Sequence, residues 1–155
     1  MLNKFGDSAA VIELLRAEVV AALVRQRDLE SLIQERQLAK PACQRVLDDF
    51  QDDRGELLST VLASKGMTHQ AFLSSLIFVD AESTGPCQAH KTVAFTSPRE
   101  RVIRVCASRF AELTLSNQKH MEIVIIHELL HALGLGENPP SSVQITAQVM
   151  RRCGP

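Results

Sequence analysis

The sequence predicts an α+β domain: an N-terminal helical hairpin, a small β-hairpin or sheet, a histidine-bearing helix and a closing C-terminal helix. Three observations carry that expectation. Apolar residues recur at helical steps through most of the first 65 positions, with Pro41 as the break. Two short runs of strand-like content, 92–96 and 101–106, flank the turn tetrad Ser97-Pro98-Arg99-Glu100. A third helical segment, from Ile123 to Leu133, is apolar except for His127, Glu128 and His131.

Ser8 is a suitable N-cap for the first helix, whose stripe uses Ile12, Leu15, Val19, Ala22, Leu29 and Ile33 and ends near Lys40. A second stripe runs over 42–64 through Val46, Leu47, Phe50, Leu57, Leu58, Val61 and Leu62, so Pro41 is expected to turn an antiparallel helical hairpin. Asp48, Asp49, Asp52 and Asp53 form an acidic patch at i, i+4 spacing within this segment, without the alternating oxygen pattern of a calcium loop, and are expected to be a solvated face. Gly66 ends the segment, and Thr68 caps a short helix through Leu76. Phe78-Val79 reads as a brief strand, and 80–90 as a loop rich in turn formers. After the hairpin, 109–115 reads as a short helix. The histidine helix is expected over 119–133, stopped by Gly134, and Ser141 or Ser142 caps a last helix through Arg152. At 155 residues the chain is expected to be one domain, 1–155, with 1–65 as the helical hairpin and 66–155 as the part that carries the site.

Charge excludes some functions. Seventeen basic and 18 acidic residues leave a net charge of −1, with no basic stretch for nucleic acid. No apolar run is long enough to span a membrane. The first apolar stretch is broken by Glu13, Arg16 and Glu18 and does not read as a signal peptide, so the chain is either intracellular or a leader has been removed. Four widely spaced cysteines permit two disulfides in three connectivities. Cys87 and Cys106 flank the expected hairpin, and Cys153 would tie down the C-terminus, with Cys43 a candidate partner. Four reduced cysteines packed as small core residues are the alternative. Disulfides would favour a secreted or periplasmic protein over a cytoplasmic one.

The chemistry is concentrated in His127-Glu128-Leu129-Leu130-His131. Residues four apart share a helical face, so both imidazoles can reach one ion. Glu128, about 100° round the helix, can hold a water without occupying a coordination place. Glu137 follows six residues after His131 and reaches the same ion if the chain turns back at Gly134. Through His127, Glu128, His131 and Gly134 the run resembles the zincin metallopeptidases, and within them the metzincin pattern His-Glu-x-x-His-x-x-Gly-x-x-His/Asp, with Glu137 at the register of the third ligand. The resemblance spans about a dozen residues. It implies a zincin-like fold, with a metal helix beneath a small sheet whose edge binds peptide. It also implies Zn2+ held by His127, His131 and Glu137, and Glu128 as general base in peptide hydrolysis.

The chain departs from the family at three places. Glu137 stands where metzincins have His or Asp. Met150 is the sole methionine after the motif and falls in the predicted last helix, where a core methionine is expected rather than a Met-turn. The chain has no Tyr, so an oxyanion donor would have to come from His90, His120, Arg99, Arg101 or Arg104. His69, His90 and His120 compete with Glu137 for the metal, and a solvent-facing loop carboxylate is the other reading of Glu137. A peptide or protein is the expected substrate. The competing function is an inactive zincin-like binding or regulatory module whose helical hairpin meets a protein partner.

Overall fold

A computed structural model describes residues 33–88 and 91–155. The helix expected from Ser8 lies, up to residue 32, outside the described residues, as does His90. The rest is α+β, with a three-stranded mixed sheet beside helices.

The chain enters through a π-type turn, Gln34–Leu38, that places Ile33 and Leu38 in the core. Pro41 opens helix α1, Pro41–Gln44, where its missing N–H costs nothing. A 3-10 turn, Arg45–Asp48, follows. The second arm of the expected hairpin is therefore not a continuous helix. Its apolar stripe is real, since Val46, Leu47, Leu58 and Leu62 are buried, but residues 49–57 are not helical. Asp52 Oδ1 accepts the N–H groups of Arg54 and Glu56, each at 2.9 Å, and Gly55 adopts φ +81°. A short acidic side chain that bonds the backbone ahead of it competes with helix. Helix then resumes as α2, Leu58–Ser64. Thr68 Oγ1 accepts the Ala71 N–H and caps α3, His69–Ser74, as its sequence predicts.

Strand β1, Ile77–Asp80, pairs parallel with the central strand β3, Val102–Val105. Between them in the chain come a single turn of helix, α4 (Gly85–Gln88), and the short strand β2, Ala94–Phe95. β2 pairs antiparallel with β3, placing Ala94 opposite Val105 and Phe95 opposite Arg104, so the expected hairpin is present and the order is β1-β3-β2. Helix α5, Ala107–Ser116, leads into α6, Gln118–Leu133, which Asn117 caps by accepting the His120 N–H. Every residue of α6 from Ile125 to Leu133 is buried, as in a central helix rather than an amphipathic surface one. Ile123, Ile125, Ile126 and Leu130 are at most 1% exposed, each contributing roughly 1.5–3 kcal/mol relative to exposure. Glu122 is also fully buried; Arg36 Nε donates to it at 2.7 Å, which answers the cost of enclosing a charge. Ser141 and Gln144 form a reciprocal capping box at the start of the last helix, α7, Ser142–Cys153.

All four cysteines are paired, Cys43 with Cys153 and Cys87 with Cys106. The first bond joins α7 to α1, where Lys40 Nζ also donates to the Cys153 carbonyl at 2.7 Å. The second ties α4 to the end of β3. Such pairing fits an oxidising compartment. Among the described residues no helix is long and apolar enough to cross a membrane.

The aspartate run is not a free solvated face. Asp49 accepts two bonds from Arg152, at 2.7 and 2.8 Å, and one from Gln148 at 2.8 Å, holding α7 to the 3-10 turn. Asp53 and Asp52 pair with Arg99 from the hairpin turn. The Arg152 guanidinium draws the Asp49 carboxyl below its ordinary 3.8 despite opposing desolvation, with Gln148 adding to the effect. A depressed folded-state value makes this contribution present at neutral pH and lost as pH falls from 3.8 through it. Asp49→Asn is thus expected to flatten the acid limb of the stability curve in urea melts at pH 2–5. An unchanged limb would mean that the pair does not hold α7.

Candidate metal centre

The site begins with the way α6 stops. Gly134, at φ +121°, takes a conformation that L side chains rarely adopt, and a Cβ there would come within 3.2 Å of Asp52 Cβ. The Gly134 N–H closes on the His131 carbonyl at 2.9 Å, and Arg99, itself at φ +68°, donates its N–H to the same oxygen at 2.9 Å. The hairpin turn therefore docks on the last turn of the helix. The chain folds back far enough for the Leu135 carbonyl to reach His131 Nδ1 at 2.7 Å. Two residues later Glu137 Oε1 stands 3.9 Å from His131 Nε2.

A carbonyl can only accept, so the bond to Leu135 requires Nδ1 of His131 to carry a proton, and in the neutral ring Nε2 is then the lone pair. His127 Nδ1 is 2.9 Å from Thr146 Oγ1 on α7, which leaves its Nε2 to face His131 Nε2 at 3.1 Å. Nitrogens this close either form one hydrogen bond, His127 Nε2–H donating to His131 Nε2 while Thr146 Oγ1 donates to His127 Nδ1, or turn both lone pairs on a cation. Burial first, and the neighbouring His131 second, lower His127 to about 4. His127 is therefore neutral at ordinary pH, which is the form of imidazole that can ligate a metal. Ligating histidines held through their other nitrogen are the usual arrangement in metal sites.

His127, His131 and Glu137 present ligand atoms that all lie within 4.8 Å of one another. Two are buried imidazoles and the third is a half-exposed carboxylate on the loop after α6. The group can hold a metal ion. A two-nitrogen, one-oxygen donor set leaves room for a further ligand in a tetrahedral site. Three of the predicted site residues, and the turn at Gly134 that the third ligand needs, are thus brought together.

Glu128 is next to this cluster but outside it. It is 6% exposed, and burial pushes its carboxyl up to about 8, with Glu137 raising it further and the Thr96 N–H, donated to it, opposing. Its Oε2 has no hydrogen-bond partner. A buried carboxyl oxygen without a partner, beside a cation-ready cluster, is costly unless the site uses it.

Glu128 and His127 open onto a cleft of about 350 Å³. Its walls are residues 91–94, leading into β2, the N-terminal half of α6 through His120 and Val124, and Ser142 and Thr146 of α7. Arg109 fixes the approach to β2 by donating to the Thr92 carbonyl at 2.9 Å.

The other candidates fall elsewhere. His69 and His120 are not part of the metal group among the described residues. Arg99 is engaged by Asp52 and Asp53, Arg101 lies over the Phe72 ring at 5.5 Å, and Arg104 pairs with Glu100 at 2.7 Å, so the three arginines act as structural contacts. Met150 is 47% exposed on α7, so it is not the core residue expected. Thr146, the Leu135 carbonyl and Thr96 orient the site without any sequence signal, because each arrives through tertiary folding. Comparison with models of known families, with curated proteins and with solved structures finds no match to this chain.

Proposed function

We propose that this protein is a zinc-dependent hydrolase, a metalloendopeptidase in which His127, His131 and Glu137 hold the metal and Glu128 is the general base. The observation that carries this reading is the pair of buried Nε2 atoms 3.1 Å apart, each with its other ring nitrogen already committed. Zinc, when bound, supplies a Lewis acid that polarises a carbonyl and acidifies water.

The chain's own residues do the rest. His131 is held in one tautomer by Leu135, and His127 is steadied by Thr146. Glu128 stands near neutrality as an acid, which suits a group that must take a proton and give it back in one cycle. The Thr96 N–H steadies the carboxyl, and Oε2 remains available to the proton. Beside it runs the outer edge of β2. The Val93 carbonyl turns inward to the Cys106 N–H and the Thr96 N–H turns outward to Glu128. Alternation along a strand leaves the Ala94 backbone groups facing the cleft, where an extended peptide can add as a further strand. Backbone pairing of that kind favours unfolded segments over folded ones.

The two disulfides support a secreted or periplasmic location for this activity. Cleavage of an unstructured protein such as casein, stopped by a chelator and restored by zinc, is the expected result. Cleavage that survives exhaustive chelation would rule out a metal-dependent reaction.

A further inference from the structure

The cleft has two electrostatically different ends. At the metal end the lining acid is Glu128. At the other end Lys91 and His120 line it, and no carboxylate does. Among the described residues neither side chain has an ion-pair or hydrogen-bond partner. The first turn of α6, in which His120 lies, also contains no acidic residue, and the backbone N–H groups of that turn add partial positive charge.

We propose that this end is a carboxylate-binding subsite, in which the Lys91 ammonium and a ring N–H of His120 hold a negatively charged group of the substrate. The proposal rests on the peptidase reading and gives it a specificity. Imidazole donates from at least one nitrogen in either protonation state, so the contact does not depend on the charge of His120. Lys91 supplies the charge, and a carboxylate that accepts from both gains charge-assisted bonds in a partly dehydrated cleft.

Position along the substrate follows from geometry. His120 precedes His127 by seven residues, about 10 Å along the helix axis. An extended chain covers that span in about three residues. A peptide added antiparallel to β2, the commoner pairing, runs from the Thr96 end towards Lys91. The carboxylate therefore belongs about three residues downstream of the scissile bond. It can be an Asp or Glu side chain or the C-terminus of the substrate itself, since the chemistry is shared.

Binding tests this separately from turnover. Dye-labelled decapeptide pools, identical except for one Glu, Gln or Lys and amidated at the C-terminus, are titrated against the zinc-supplied Glu128→Gln protein. The Glu pool is expected to bind about tenfold tighter than the Gln pool, the effect of about 1.4 kcal/mol. Lys91→Met/His120→Gln should bring that ratio to about one, and Lys91→Glu should turn the preference towards the Lys pool. A free C-terminal carboxylate against the amide in the Gln pool separates the two sources. Equal binding of the pools, or a preference that both variants retain, overturns the subsite. If the Glu pool is preferred but the wild-type protein cleaves none of the peptides, the hydrolase reading fails and the subsite stands. Cleavage without preference removes the subsite alone.

Discussion

Glu128→Gln is expected to lower peptide cleavage by about 10²–10⁴-fold while zinc stays bound, which is the range that a positioned acid–base group contributes. The amide is nearly isosteric, and its oxygen can still accept the Thr96 N–H that the carboxyl accepts. It cannot accept a proton from water at the Oε2 position, which is buried and has no partner. Glu128 is not one of the three clustered ligands, so elemental analysis of the variant should match the wild type. Activity retained by Glu128→Gln would end the general-base assignment. Loss of metal together with activity would mean that the carboxylate is a ligand.

Opening the Cys43–Cys153 bond is expected to cost about 2–5 kcal/mol, a large part of the stability of a domain this size. The bond spans 110 residues, whereas Cys87–Cys106 spans 19. In the chain-entropy account the longer loop restricts the unfolded chain more, so its loss should be the more damaging of the two. The consequence reaches the site, because α7 carries Thr146, which steadies His127, and is held by the disulfide and by Asp49. Guanidinium melts of Cys43→Ala/Cys153→Ala should shift to lower midpoint by more than those of Cys87→Ala/Cys106→Ala, and zinc affinity should fall with them. The reverse ranking would mean that α7 is held chiefly by its packing.

Local signals account for what was legible in the sequence. His127 and His131 share a face because a helix has 3.6 residues per turn, and Gly134 could be read as its end because few other residues turn there. Capping by Thr68, Asn117 and Ser141 involves donors three residues away, and Thr68 and Ser141 could be named from the sequence. The hairpin followed from the turn at 97–100. Even the disulfide pairing could be outlined, since Cys87 and Cys106 bracket one small unit.

What could not be read depends on contacts between distant segments. A continuous second helix was expected because its apolar spacing is helical, but Asp52 and Gly55 interrupt it, and Asp52 then meets Arg99, 47 positions away. The aspartates look solvated on paper because Arg152 and Arg99 come from elsewhere in the chain. Burial of Glu122 against Arg36, and orientation of the ligands by Thr146 and Leu135, are of the same kind. The pairing of β1 with β3 is also non-local, and it turns a hairpin into a sheet.

Metal content is the measurement that bears most directly on the central claim. The purified protein, never exposed to chelator, should carry about one zinc per chain by elemental mass spectrometry, as a three-ligand site predicts. His127→Ala and His131→Ala should each lose it while remaining folded. Protein that takes up no metal even when zinc is supplied would contradict the account.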